Sequence, residues 1–195
     1  MRLKQAILAI VIILFLVNAA WGADKFVIDP VHTNIGFSVR HMVINSVKGK
    51  FTDFSGAIIY DATDITKSSV SVTIKTAGID TGNERRDNDL RSPNYLDVAK
   101  YPEISFQSSR IEKRGDGYVA IGTLTMHGVS KEIALPFTIG GTIKDPGGHM
   151  RMGVEAGLTL DRRDYGMTIG KTLDSGGLVV GYEVKIELTV EAVKS

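Results

Sequence analysis

The chain contains no cysteine, and that absence removes several classes of protein at once. A disulfide framework, a thiolate metal site, a cysteine nucleophile and a lipid-anchored N-terminal cysteine are all excluded. Excess charge of one sign is also missing. Among 195 residues, 23 Lys and Arg stand against 22 Asp and Glu, so no phosphate-neutralising nucleic-acid surface is indicated. There is no G-x-S-x-G elbow, no phosphate loop, and no H-x-H or H-E-x-x-H spacing. The serines of EISFQSS and DSGG have no positioned base nearby. The sequence therefore points to no catalytic residue, no metal ligand set and no cofactor. The long hydrophobic run, Ala6 to Val17, is short for a comfortable membrane span. Arg2 and Lys4 precede it, and the small residues Ala20 and Gly22 follow it. That is the layout of a secretory signal peptide, cleaved so that the mature chain begins near Ala23. Residues 1–22 are read as this leader and 23–195 as one domain. Without Arg2 and Lys4 the domain has 21 basic and 22 acidic residues, a net charge of −1.

What the remainder has is alternation. Apolar residues recur at every second position in eight stretches. These are His32 to Val43, Gly49 to Tyr60, Ser69 to Lys75, Glu103 to Ile111, Tyr118 to Met126, Lys131 to Ile143, Arg151 to Leu160 and Tyr182 to Val190. Short turn-rich links join several of them, such as RGDG at Arg114–Gly117, HGVS at His127–Ser130 and DPGG at Asp145–Gly148. Links this short suit antiparallel neighbours. The fold class is all-β. Eight antiparallel strands with one apolar face each form either a sandwich or a closed up-and-down barrel, and closure removes the sheet edges. Strands of roughly 33 Å tilted by about 40° would enclose a lumen roughly 25 Å tall. Alternation alone leaves open whether that lumen is a cavity or a solid core.

Two stretches break the pattern. Asp80 to Pro102 carries Thr81 and Glu84 at capping-box spacing, so a short helix is expected from about Gly82 to Arg91, stopped by Ser92-Pro93. It is a helical insert between strands three and four, and it either plugs or rims one barrel end or is a plain surface crossover. Asp161 to Gly181 is too Gly-rich for a regular element and long enough to serve as a lid or binding loop.

Histidines are few, and none has a ligand motif around it. Period-two register puts His41 on the inward face with Ile35, Phe37 and Val39, and His32 on the other face. His32 is expected to satisfy turn backbone, and His127 and His149 fall in turns. A metal site needs distant histidines to converge with a carboxylate.

Five motifs, DPVHTNIGFSVRHM, GKFTDFSG, NERRDNDLRSPNYLDVAKYPEISFQSS, GTLTMHGVSKEIALPF and DRRDYGM, occur in an order and spacing that resemble the YceI-like family of polyisoprenoid-binding, lipocalin-like periplasmic proteins. The likeness runs from Phe26 to about Val193. It implies an extended eight-stranded antiparallel barrel with an apolar lumen, export to the periplasm, and a long isoprenoid chain inside some members. Many relatives carry His where this chain has Asp89, so a role of that histidine does not transfer. The resemblance also implies that members can pair as homodimers, although no interface is legible.

The resulting expectation is a non-enzymatic carrier. Its lipid tail would meet Phe37, Val39, Ile104, Phe106 and Leu158 along the inner wall, together with His41. Its head would meet Arg86 or Arg91 on the helix, where Arg85 and Arg86 diverge by about 100° and do not share one site. Arg162 and Arg163 form a second candidate pair. The alternatives are a metal- or redox-linked envelope enzyme, and a solid-core stress-response barrel acting through a protein partner.

Overall fold

The computed structural model describes residues 22–195. The expected leader lies outside the described residues apart from Gly22. Eleven strands are present among them: β1 (Asp24–Ile28), β2 (Asn34–His41), β3 (Asn45–Phe51), β4 (Phe54–Tyr60), β5 (Ser69–Lys75), β6 (Ile79–Asp80), β7 (Glu103–Arg114), β8 (Gly117–Met126), β9 (Val129–Lys144), β10 (Met150–Asp161) and β11 (Val180–Lys194). Three pairs are consecutive pieces of one interrupted barrel strand: β1 with β2, β3 with β4, and β5 with β6. The barrel therefore has eight staves, each paired antiparallel to its sequence neighbour. Its seam is closed by β11, which pairs with β1 through Phe26–Lys194 and with β2 through Ile35–Leu188. This is the closed up-and-down barrel, not the sandwich.

Each alternating stretch foreseen in the sequence lies in a stave, although Gly49 to Tyr60, expected as one strand, is broken at Thr52–Asp53 into β3 and β4. The first begins earlier than expected, because DKFVI forms β1 before the chain kinks at Asp29–Thr33. It also ends earlier. Met42 and Val43 have φ of 49° and 66° and make the turn into β3, so the strand stops at His41. Gly49 shows why small residues interrupt the inner wall. It sits opposite Phe37, and a Cβ there would lie 2.4 Å from the Phe37 ring. The ring lies across the glycine and tilts against Phe51 at 5.8 Å.

The helix α1 (Glu84–Arg91) stands between the third and fourth staves, as expected. Its cap differs from the capping box. The Asn83 side chain accepts from the Arg86 N–H. Thr81 is drawn elsewhere: its hydroxyl and backbone N–H both donate to buried Asp87. Hydrogen-bonded turns follow from Ser92 to Tyr101. The insert, the β2–β3 turn, the His127 turn and the 162–179 loop all lie at one end of the barrel, the mouth. The N-terminus, the Asp145–His149 turn and the C-terminus lie at the other, the base.

Packing is uneven along the tube. At the base, Phe26, Met152 and Ala192 are almost wholly buried, with Ile58, Tyr60, Ile139 and Val154 around them. Towards the insert, Ile79, Leu96, Ile104, Phe106, Leu124, Tyr165 and Met167 form a second cluster. No helix among the described residues is long and apolar enough to cross a membrane.

Candidate functional site: an apolar lumen with a buried arginine at its mouth

The space between these two clusters is not filled. A cavity of about 290 Å³ occupies the lumen. That is roughly twice the ~150 Å³ of an engineered apolar cavity that stays dry and takes up benzene. Its walls come from every stave. Ile28, Met152, Ile139 and Val190 line it at the base, and Leu90, Tyr95, Leu96 and Met167 at the mouth. Apart from Tyr60, Ser68, Ser69, Tyr95 and Arg162, the side chains that line it are aliphatic, Met or Phe. Dry apolar walls of this kind bind by shape and desolvation, at roughly 0.8 kcal/mol per methylene buried.

The lining set agrees with inward alternation. Phe37, Val39, Ile104, Phe106 and Leu158 all face the cavity, as do Val70, Val72, Leu124 and Val184. His41, Arg86 and Arg91 do not. His41 is the last residue of β2, paired with Asn45 and Val180, and half-buried at the rim. Arg86 folds back on the residues before its helix, donating from Nε to the Thr81 hydroxyl (2.8 Å) and from Nη2 to the Thr81 carbonyl (3.0 Å). Arg91 ties the helix to the third stave through the carbonyls of Ala77 and Ile79, both at 2.9 Å. Asn83, Arg85, Arg86 and Asp89 surround a separate, shallow surface hollow.

The charged side chain among the described residues that line the cavity is Arg162, whose stem borders a wall that is almost wholly apolar. The DRRDYGM stretch folds as a 3-10 turn, Arg162–Tyr165, capped by the Asp161 side chain at the Arg163 N–H. Three residues per turn place Arg162 and Tyr165 on the same side. Both go inward, at 4% and 1% exposed. Gly166 closes the turn at φ 80°, a conformation glycine adopts without a Cβ clash. Arg163 points outward and clamps Asp161, with Nε 3.0 Å from both carboxylate oxygens.

The Arg162 guanidinium donates to three backbone carbonyls: Gly181 (3.1 Å), Met167 (2.6 Å) and Ile169 (2.5 Å). Its Cζ lies 4.8 Å from the Tyr182 ring and 5.8 Å from the Tyr95 ring. Burial pulls its pKa below the ordinary arginine value, against the nearby tyrosines and Asp161. Tyr165 is raised for the same reason, and its hydroxyl has no hydrogen-bond partner among the described residues. The i, i+3 spacing of Arg162 and Tyr165 was the sequence signal for this inward pair.

The opposite end holds the charged network. Arg151 Nη1 donates to Asp29 (2.9 Å) and Glu191 (2.6 Å), and Nε donates to Asp145 (2.7 Å). His32 bonds the Asp29 carboxylate at 2.9 Å, not the turn backbone, and Asp29 itself caps the Val31 N–H. The His32 bond, the Val31 N–H and Arg151 together hold Asp29 at about 2. Arg151, then the His149 N–H, hold Asp145 at about 2. Asp29, His32 and Glu191 offer ligand atoms within 4.8 Å of one another, but Arg151 already supplies the cation between the two carboxylates. His127 bonds the Tyr165 carbonyl and His149 stands beside Asp145, so His41, His127 and His149 do not converge on one centre.

Comparison with known proteins agrees with the geometry. The model of the YceI-like domain matches residues 26–192. A UPF0312 protein of Yersinia pestis is 34% identical over 183 residues, covering 93% of this chain and 92% of its own. The crystal structure of a Campylobacter jejuni YCEI protein superposes with a TM-score of 0.69 at 33% identity, over 86% of this chain and 96% of that one. A polyisoprenoid binding domain from Saccharophagus degradans has the same fold at 16% identity, with a TM-score of 0.62 over 89% of this chain and 99% of its own. A closed barrel with this stave order, lumen and set of motifs leaves one assignment: the chain belongs to the YceI-like domain family.

Proposed function

We propose that this protein is an exported lipid-binding protein that sequesters or carries an isoprenoid-type amphiphile, with the tail in the lumen and the head near the mouth. The observation that carries the reading is the 290 Å³ lumen with nearly continuous apolar walls. A barrel built only as a scaffold fills its interior with its own side chains. Phe37, Val39, Ile104, Phe106 and Leu158 are the tail contacts in this proposal. His41, Arg86 and Arg91 frame the rim more distantly. Burying a dozen methylene equivalents gains roughly 10 kcal/mol before the entropic costs of association. That is enough for retention without a catalytic group, and the role proposed is binding, not turnover. The Saccharophagus domain that shares the fold is described as polyisoprenoid-binding, which supports the ligand class.

Residues 1–22 complete the proposal as a secretory leader, with the mature barrel acting in the periplasm. Native mass spectrometry of protein recovered from its own envelope tests the reading. The expected result is an adduct that solvent extraction releases as an apolar-chain lipid. Protein that is consistently empty, and that takes up no prenyl lipid in vitro, contradicts it.

A further inference from the structure

The turn between β2 and β3 exposes three large apolar residues in a row. Met42, Val43 and Ile44 are 42%, 56% and 85% exposed. Ile169, on the neighbouring 162–179 loop, is exposed as well. At the base, the exposed Val27, Val31 and Ile143 come from three separate segments. The turn is also built against local preference. Met42 and Val43 both take positive φ, at 49° and 66°, in a hairpin turn of the kind that Asn and Gly make most easily. A β-branched residue there is an outlier, and polar residues would suit both the backbone and the water better. The tip is nevertheless held firmly. The Met42 N–H donates to the Val179 carbonyl (2.8 Å), and Arg40 Nη2 donates to the Val43 carbonyl (3.0 Å). Val43 is seated over Gly177, where a Cβ would lie 2.8 Å from its methyl group.

The tip continues the wall of the lumen along the chain. Val39 and Val180 line the cavity, Val180 pairs with His41, and Met42 follows directly. Resting on the lumen reading, we propose that the 42–44 tip is a docking surface for a lipid bilayer. It sets the barrel mouth against the membrane, so that an apolar chain passes between bilayer and lumen without crossing water. Two features select a bilayer over a protein partner. The tip is a single turn, and its few side chains offer far less than the roughly 800 Å² per partner of a stable protein interface. A fluid lipid interface accepts a small apolar group without a matching pocket. Charge is also nearly balanced here: Arg40 and Lys171 stand against Asp174 in the two segments. Burial of apolar surface, and not attraction to anionic head groups, therefore supplies the contact.

Residues 22–195 hold every described element and contain no tryptophan, so an indole placed at the tip reports on the tip alone. The test uses this chain with phosphatidylcholine vesicles. In I44W the emission is expected to shift to the blue on vesicle addition and to be quenched by lipids brominated on the acyl chain. In I143W, at the base, neither change is expected. V43N/I44D should bind vesicles at least tenfold more weakly in co-sedimentation. Its thermal midpoint should be unchanged or higher, because Asn tolerates the left-handed backbone. Its affinity for farnesol in vesicle-free solution should stay within about twofold of that of the unaltered chain. Vesicle binding should persist at about 1 M salt, since no ion pair drives it. An unshifted I44W, equal sedimentation of V43N/I44D, or binding confined to anionic vesicles at low salt overturns the docking surface. A blue shift that grows with protein concentration before vesicles are added assigns the tip to a second copy and overturns it too. Each of these results leaves the lumen reading standing. That reading fails separately, if the unaltered chain takes up no farnesol in the absence of vesicles.

Discussion

Two arginines stand at opposite ends of one stave, and they are treated in opposite ways. Arg151, near the start of β10, is part-exposed and holds Asp29, Asp145 and Glu191. Arg162, just past the end of β10, is buried among carbonyls and tyrosines, with no carboxylate in a salt bridge to it among the described residues. Around Arg151 the barrel is shut by Phe26, Met152 and Ala192. Beside Arg162 the lumen is open to an occupant. The difference teaches where the fold spends its charges. At the base they are matched within the chain and serve stability. At the mouth Arg162 is held by three backbone carbonyls and flanked by two tyrosine rings.

Substitutions at the two ends should therefore behave differently. The largest effect is expected for Phe26→Ala, which empties a packed base position outside the lumen wall and should cost about 3–5 kcal/mol in chemical denaturation. Leu158→Ala in the lumen should cost less, about 1–2 kcal/mol, because the side chain already borders open space and its loss adds little new cavity. If the two costs are equal, the contrast between shut base and open lumen fails.

Arg151→Met strands three carboxylates beside one another. It should lower the thermal midpoint by several degrees and leave farnesol binding unchanged. It should also raise the pH of acid unfolding, since Asp29 and Asp145 owe part of their depressed pKa to Arg151. The sign follows from those depressed values. A carboxylate at about 2 in the folded protein, against 3.8 ordinarily, adds stability above pH 4 that is lost as pH falls from about 4 towards 2. Thermal melts across that window should show the loss in the unaltered protein, and a smaller loss in Asp29→Asn. A smaller effect still is expected for Gly166→Ala, about 1 kcal/mol, from forcing a Cβ into φ 80°. It should loosen the Arg162 turn, read as faster amide hydrogen exchange at Met167, whose N–H bonds the Arg162 carbonyl.

Much of this was legible in the sequence because one-sided burial writes itself as alternation. Val70, Val72, Ile104, Phe106, Leu158 and Val184 were assigned inward by period alone, and all six line the lumen. The helix was legible from Pro93 and the polar cap region, although the cap itself is Asn83 and not Thr81. Alternation names a side, however, and not what fills it. Whether that side encloses a cavity depends on summed side-chain volumes across eight staves. β1 was missed because five residues with two inward positions carry little periodic signal. Arg86 and Arg91 are cations on an insert, which is the pattern of a head-group contact, but Arg86 bonds the Thr81 hydroxyl and carbonyl, and Arg91 bonds the Asn88 side chain and the carbonyls of Ala77 and Ile79. Arg162 was harder to rank. Its burial is made by Tyr95, Gly181 and Tyr182, which come from other segments of the chain.

The central claim is that the lumen holds an apolar chain. Calorimetric titration of farnesol into the unaltered protein and into Leu158→Trp tests it most directly. The indole should occupy the space the chain needs, so binding should weaken at least tenfold while the circular dichroism spectrum and thermal midpoint stay near those of the unaltered protein. Farnesol binding that is absent from the unaltered protein, or equal in a folded Leu158→Trp, contradicts the account.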